Sequence, residues 1–269
     1  MMLGTRTRIT ALSAAVGIVA AVNIAAPWDD GTPGTQVGTA GIALGDDTAR
    51  IVERVNYRQD IERVGDVIVI DGRPSDELTG ELAAVWEIVD GIWPADQRTA
   101  LAQLSVVREE PRGLVGVVHP SATGGWILSL DVADLEDRAL IEETIVHELS
   151  HVVTLDREVF TFGDADDCPG TEIELGCAAP GSVLAVFADR FWPGDVATGV
   201  DDDFVNAYAS TSAHEDLAET FTAWVLGWPL EGAVIDAKIE ILAADSELAA
   251  LAASLRAELL ARASVDARP

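Results

Sequence analysis

The chain has 269 residues, 49% of them apolar, which is enough to build a sizeable core and too much for wholesale disorder. Its 46 acidic side chains outnumber 17 basic ones, of which Lys238 is the single lysine, and the formal net charge is −29. That balance argues against binding nucleic acid or an anionic membrane surface, because like charges repel, and it fits a solvated acidic surface or attraction to cationic substrates.

In chain order, Arg6 and Arg8 precede an apolar run from Ile9 to Ala26, with Asp29 and Asp30 beyond it. Eighteen residues at about 1.5 Å each span roughly 27 Å as a helix, just short of a bilayer core. Basic residues before the run and acidic ones after it orient the segment with the remainder exported. Residues 1–26 are therefore expected to be a signal peptide or an N-terminal membrane anchor, giving a secreted or extracytoplasmic, anchored chain. Residues 27–48, rich in Gly, Thr and Asp, read as a flexible linker. A single globular unit is expected over 49–269, and nothing points to anything but a monomer.

Within that unit, the apolar runs Val67–Ile70, Leu104–Val107, Leu114–Val118 and Gly125–Leu130 read as strands of one sheet. His119 and Pro120 read as the start of a turn between the last two. Helical spacing marks Ser75–Ile92, Leu135–Leu155, Ser182–Phe191, Ala213–Leu226 and Ile235–Arg262, with Gly227 and Pro229 stopping the fourth. Strands first and helices after indicate an α+β fold. Cys168 and Cys177 lie nine positions apart in a loop-like stretch, a spacing that suits a local disulfide in an oxidising compartment. The acidic runs around Asp164, Asp166, Asp167 and at Asp201–Asp203 lack the spacing of a twelve-residue calcium loop and read as solvated loops.

The chemistry concentrates in His147-Glu148-Leu149-Ser150-His151. Residues four apart share a helix face, so the two imidazoles can meet on one ion, while Glu148, rotated by about 100°, can reach a water beside it. Ile141, Ile145, Leu149 and Val152 form the apolar stripe that would fix this helix against the sheet. A catalytic metal site needs a third protein ligand. Thr154 and Arg157 stand where one common extension of the motif has Gly and His, so that source is absent. The candidates lie in Tyr208-Ala-Ser-Thr-Ser-Ala-His214-Glu215-Asp216-Leu217-Ala218-Glu219. Glu215, Glu219, His214 and Asp216 are the candidates for that ligand. Ser212 with Glu215 also has the form of a capping box, which would occupy the Glu215 side chain elsewhere.

His-Glu-x-x-His, then Tyr, six residues and Glu-x-x-Ala-Glu, resembles the lethal-factor-type gluzincins and similar bacterial zinc-binding metallopeptidases, mainly over 135–228. The resemblance implies a zincin-like domain, a small mixed sheet packed on an active-site helix followed by further helices. It implies one Zn²⁺ per chain on His147, His151 and Glu215, Glu148 as general base towards a zinc-activated water, and Tyr208 as donor to the oxyanion. The partner would be a peptide or protein substrate. Glu219, one turn beyond Glu215, could stand behind a ligand and orient a histidine. A substrate peptide is expected along Gly125–Leu130 as the sheet edge. The alternative is a non-catalytic, exported or membrane-anchored zinc-containing binding domain.

Overall fold

The computed structural model describes residues 57–64, 67–70, 73–74, 80–107, 115–121, 124–131, 133, 135–163 and 167–266. Strands β1 (Tyr57–Val64), β2 (Val67–Ile70) and β3 (Arg73–Pro74) come first, followed by helix α1 (Gly80–Ile92). Strands β4 (Leu101–Val107), β5 (Gly116–Pro120) and β6 (Trp126–Asp131) then lead into helix α2 (Arg138–Thr154). These strands form one mixed sheet in the order β3-β2-β1-β4-β6-β5. Only β4 and β6 run parallel; β5 lies antiparallel to β6, pairing Val118 with Leu128 and Pro120 with Trp126.

Two expectations are corrected at this edge. The Gly125–Leu130 run is an interior strand, and the described edge is β5, because β6 is hydrogen-bonded on both sides. His119 and Pro120 belong to β5; the turn is tighter, closed by Ser121 N–H to the Gly125 carbonyl at 2.8 Å. Proline has no N–H to donate, so an edge strand accommodates it without losing a ladder bond.

Helix α2 crosses this end of the sheet. Asp137 caps it, accepting the Leu140 N–H, and Ile141, Ile145, Leu149 and Val152 are all buried in the core. The approach is close at Gly116, where an added Cβ would lie 2.6 Å from the Thr144 methyl and 2.7 Å from Leu130. A larger residue there would push the motif helix off the strand.

A second, three-stranded antiparallel sheet follows: β7 (Phe160–Phe162), β9 (Gly176–Ala178) and β8 (Thr171–Ile173), in that spatial order. It occupies the stretch expected to be loop. The Cys168–Cys177 disulfide ties the segment after β7 to β9, as the spacing suggested. Helix α3 (Val183–Phe191), capped by Ser182, and helix α4 (Ala213–Leu226), capped by Ser212, come next. Gly227, at φ 67°, ends α4 in the left-handed conformation that a glycine tolerates best. The expected C-terminal helix is two, α5 (Ala233–Ala244) and α6 (Ser246–Asp266). Asp245 divides them, accepting the N–H groups of Glu247 and Leu248 at 3.0 Å each.

The fold is thus mixed, with two small sheets and helices packed about one core that includes Leu104, Leu128, Leu149, Phe187 and Phe221. The expected anchored, exported placement is withdrawn: among the described residues no helix is long and apolar enough to cross a membrane. The 1–26 segment, the 27–48 linker and the start of the α1 pattern at Ser75 lie outside the described residues.

Candidate metal centre

Helices α2 and α4 pack face to face and set the site between them. His147 and His151, one turn apart on α2, bring their Nε2 atoms to 3.0 Å. From α4, Glu215 Oε2 lies 3.1 Å from His147 Nε2 and 3.3 Å from His151 Nε2. All three residues are buried, and their ligand atoms fall within 4.8 Å of one another. Glu215 Oε2 is left buried without a well-aligned hydrogen bond. Three lone-pair atoms this close repel one another unless a proton or cation sits among them, and two imidazoles with a carboxylate are the donor set that suits zinc. The residues fit such an ion.

The Ser212 half of the expected capping box forms. Ser212 Oγ accepts the backbone N–H of Glu215 at 3.3 Å, so the helix is capped. The Glu215 side chain nonetheless points to the histidines and not back to the cap. The other candidates for third ligand have their own partners. Glu219 Oε1 lies 2.9 Å from His147 Nδ1, the position from which a carboxylate orients a ring and raises its basicity. Asp216 takes Lys238 Nζ at 2.7 Å and the Trp192 indole N–H at 2.9 Å. His214 lies 3.0 Å from Ser212 Oγ through Nδ1.

Charge follows from this packing. Burial works against a proton on His147, yet the Glu219 and Glu215 carboxylates outweigh it and hold the imidazole well above its ordinary range. Glu215 is the reverse: burial would raise its carboxyl, but His151 and His147 hold it well below the usual value. His214 is pushed down to about 4, chiefly by burial, and stays neutral. Ions bind deprotonated ligands, so a metal would take the place of the His147 proton.

Glu148 lines the same cavity. The edge strand holds it, Val118 N–H donating to Oε2 at 2.8 Å, and burial raises its carboxyl above the normal range. Tyr208 sits with its ring centroid 6.0 Å from that of His147 and lines the same cavity as Glu215. Burial, then the Glu215 charge, push its phenol upward, so it remains a neutral donor. Strand β5, Trp126, Phe162 and His214 complete the cavity around these groups.

Sequence reasoning missed several contributors. Asn206 donates to Glu219 Oε2 at 2.6 Å and accepts the Ala209 N–H at 2.9 Å, which ties the Tyr208 loop to α4. Val118 acts through its backbone, which leaves no trace in side-chain type. Lys238, fully buried, binds Asp216 and the Asp203 carbonyl and lies 4.2 Å from the Phe204 ring centre. Its being the one lysine among apolar neighbours was the available signal. The Asp201–Asp203 run forms a single exposed helical turn, with Asp203 bonded to the Val200 N–H.

No protein-family model and no curated protein matches the chain. Among solved structures it is similar to a putative zinc-binding metallo-peptidase from Bacteroides caccae ATCC 43185, at 16% sequence identity and a TM-score of 0.38. The alignment covers 66% of this chain and 76% of that one.

Proposed function

We propose that the protein is a zinc-dependent peptidase, with His147, His151 and Glu215 holding one ion per chain and Glu148 moving the proton. The observation that carries this reading is the convergence of two imidazoles and a carboxylate on one buried point, beside a buried carboxylate that ligates nothing. Bound there, zinc would supply Lewis acidity and a water whose pKa is lowered to about 7.

The chain's own groups do the rest. With Oε2 tied to Val118, Oε1 of Glu148 takes the proton from the attacking water and returns it to the leaving amine. Its raised affinity for protons suits that task. Tyr208, kept neutral, donates to the negative charge developing on the scissile carbonyl oxygen. Glu219 and Asn206 fix the His147 ring. An extended peptide lies along β5, the edge among the described strands, in place of the interior β6. A purely structural metal site has no use for Glu148, which weighs against a non-catalytic binding domain.

Metal analysis and peptide hydrolysis on the purified protein and on Glu148→Gln test this. Both should carry about one zinc, and the variant should lose about 10²- to 10⁴-fold in cleavage rate. Full activity in Glu148→Gln, or a native protein that never takes up zinc, sinks the proposal.

A further inference from the structure

We propose that Phe162, on the disulfide-tied sheet, limits the size of the substrate side chain admitted beside the metal cluster, so that cleavage occurs next to small residues. This rests on the peptidase reading and adds the substrate class to it.

The cavity holding the cluster has a volume of about 40 Å³. That is room for roughly three waters. An ion, a water and a scissile carbonyl would take up most of that volume. Trp126, Leu155, Phe162 and Leu175 form an apolar part of the cavity lining. Two of these four come from the small sheet and neither helix that supplies ligands.

The wall is fixed in place. Phe162 meets Trp126 edge-on, ring centres 5.9 Å apart, and Phe160 at 4.9 Å, so its ring is gripped from two sides. Such aromatic pairs contribute beyond their buried area. Strand β7 pairs Phe162 with Gly176, and the Gly163 N–H donates to the Leu175 carbonyl at 2.9 Å, holding the two wall residues together. The disulfide joins Cys177, in the middle of β9, to the segment following β7. Trp126 and Leu155 belong to the buried core, whereas Phe162 is half-buried, so it is the member that can vary without disturbing the fold.

The test uses zinc-loaded protein and peptides identical except for Gly, Ala, Leu or Phe on either side of the scissile bond. The native protein should prefer Gly and Ala. Phe162→Ala should raise the kcat/KM of the Leu and Phe peptides relative to that of the Ala peptide about tenfold or more, with zinc content unchanged. Phe162→Leu, a smaller perturbation of the wall, should fall between. Native preference for Leu or Phe, or an equal change for all peptides in a zinc-loaded variant, overturns the role of Phe162 and leaves the peptidase reading standing. A zinc-loaded native protein that cleaves none of the peptides overturns both. If Phe162→Ala does not fold, the native profile and Phe162→Leu decide by the same criteria.

Discussion

Glu143 lies one turn before His147 on α2, half-buried, with its carboxyl pushed up to about 7, first by burial and then by the charge of Glu219. A carboxyl whose folded pKa exceeds its unfolded value stabilises the fold only while protonated. Its contribution is lost as pH rises from about 4.5 towards 7 and stays lost above. Glu143→Gln, which cannot ionise, should therefore equal the native protein in stability below pH 4.5 and exceed it at pH 8. Because solvent reaches part of this group, the gain is about 1 kcal/mol. Denaturant midpoints across that range check it; a gap that widens towards low pH would contradict the assignment. At the same scale, Glu219 beside the His147 ring and the Val118 N–H on Glu148 give two groups of the site a second contact each.

Among the elements, α4 brings Glu215 to the cluster, and its first turn is anchored from behind. Asp216, next to Glu215, is gripped by Lys238 from α5 and by Trp192 at the end of α3, both partners buried. A pair withdrawn from water contributes little net, but breaking it strands a charge. Lys238→Met should cost about 3–5 kcal/mol in unfolding free energy, and adding Asp216→Asn should recover most of that loss. Thermal melts of the single and double variants measure the difference; equal losses would mean that Lys238 acts through packing alone.

The elements also show what can be read locally. The grouping of His147 with His151 was legible because helical spacing is a property of five consecutive residues, and the stripe from Ile141 to Val152 announced the helix. The Ser212 cap was legible too, but not which way Glu215 would turn, since that depends on two rings 64 and 68 positions earlier. Strand β1 was missed because Tyr57–Val64 alternates too many charges to resemble a strand, and β7–β9 because each has three residues. The Phe162 wall and the Asn206 bridge arise only from tertiary pairing.

At the scale of the whole molecule, a chain with net charge −29 keeps 17 cationic side chains, and 16 of them are arginines. Arginine stays charged, as in the Arg138 pair with Glu142 at 2.8 Å, whereas lysine can lose its proton when desolvated. The one lysine is 1% exposed, so the folded surface offers no side-chain amine. Reagents that acylate amines should leave residue 238 unmodified for as long as α5 stays docked. They should modify it at the rate at which that helix opens, which mass spectrometry would record as a single mass increment within Ala233–Ala244. The sequence thus carries its own clock for the detachment of the element behind Glu215, in a residue that no other lysine can mask.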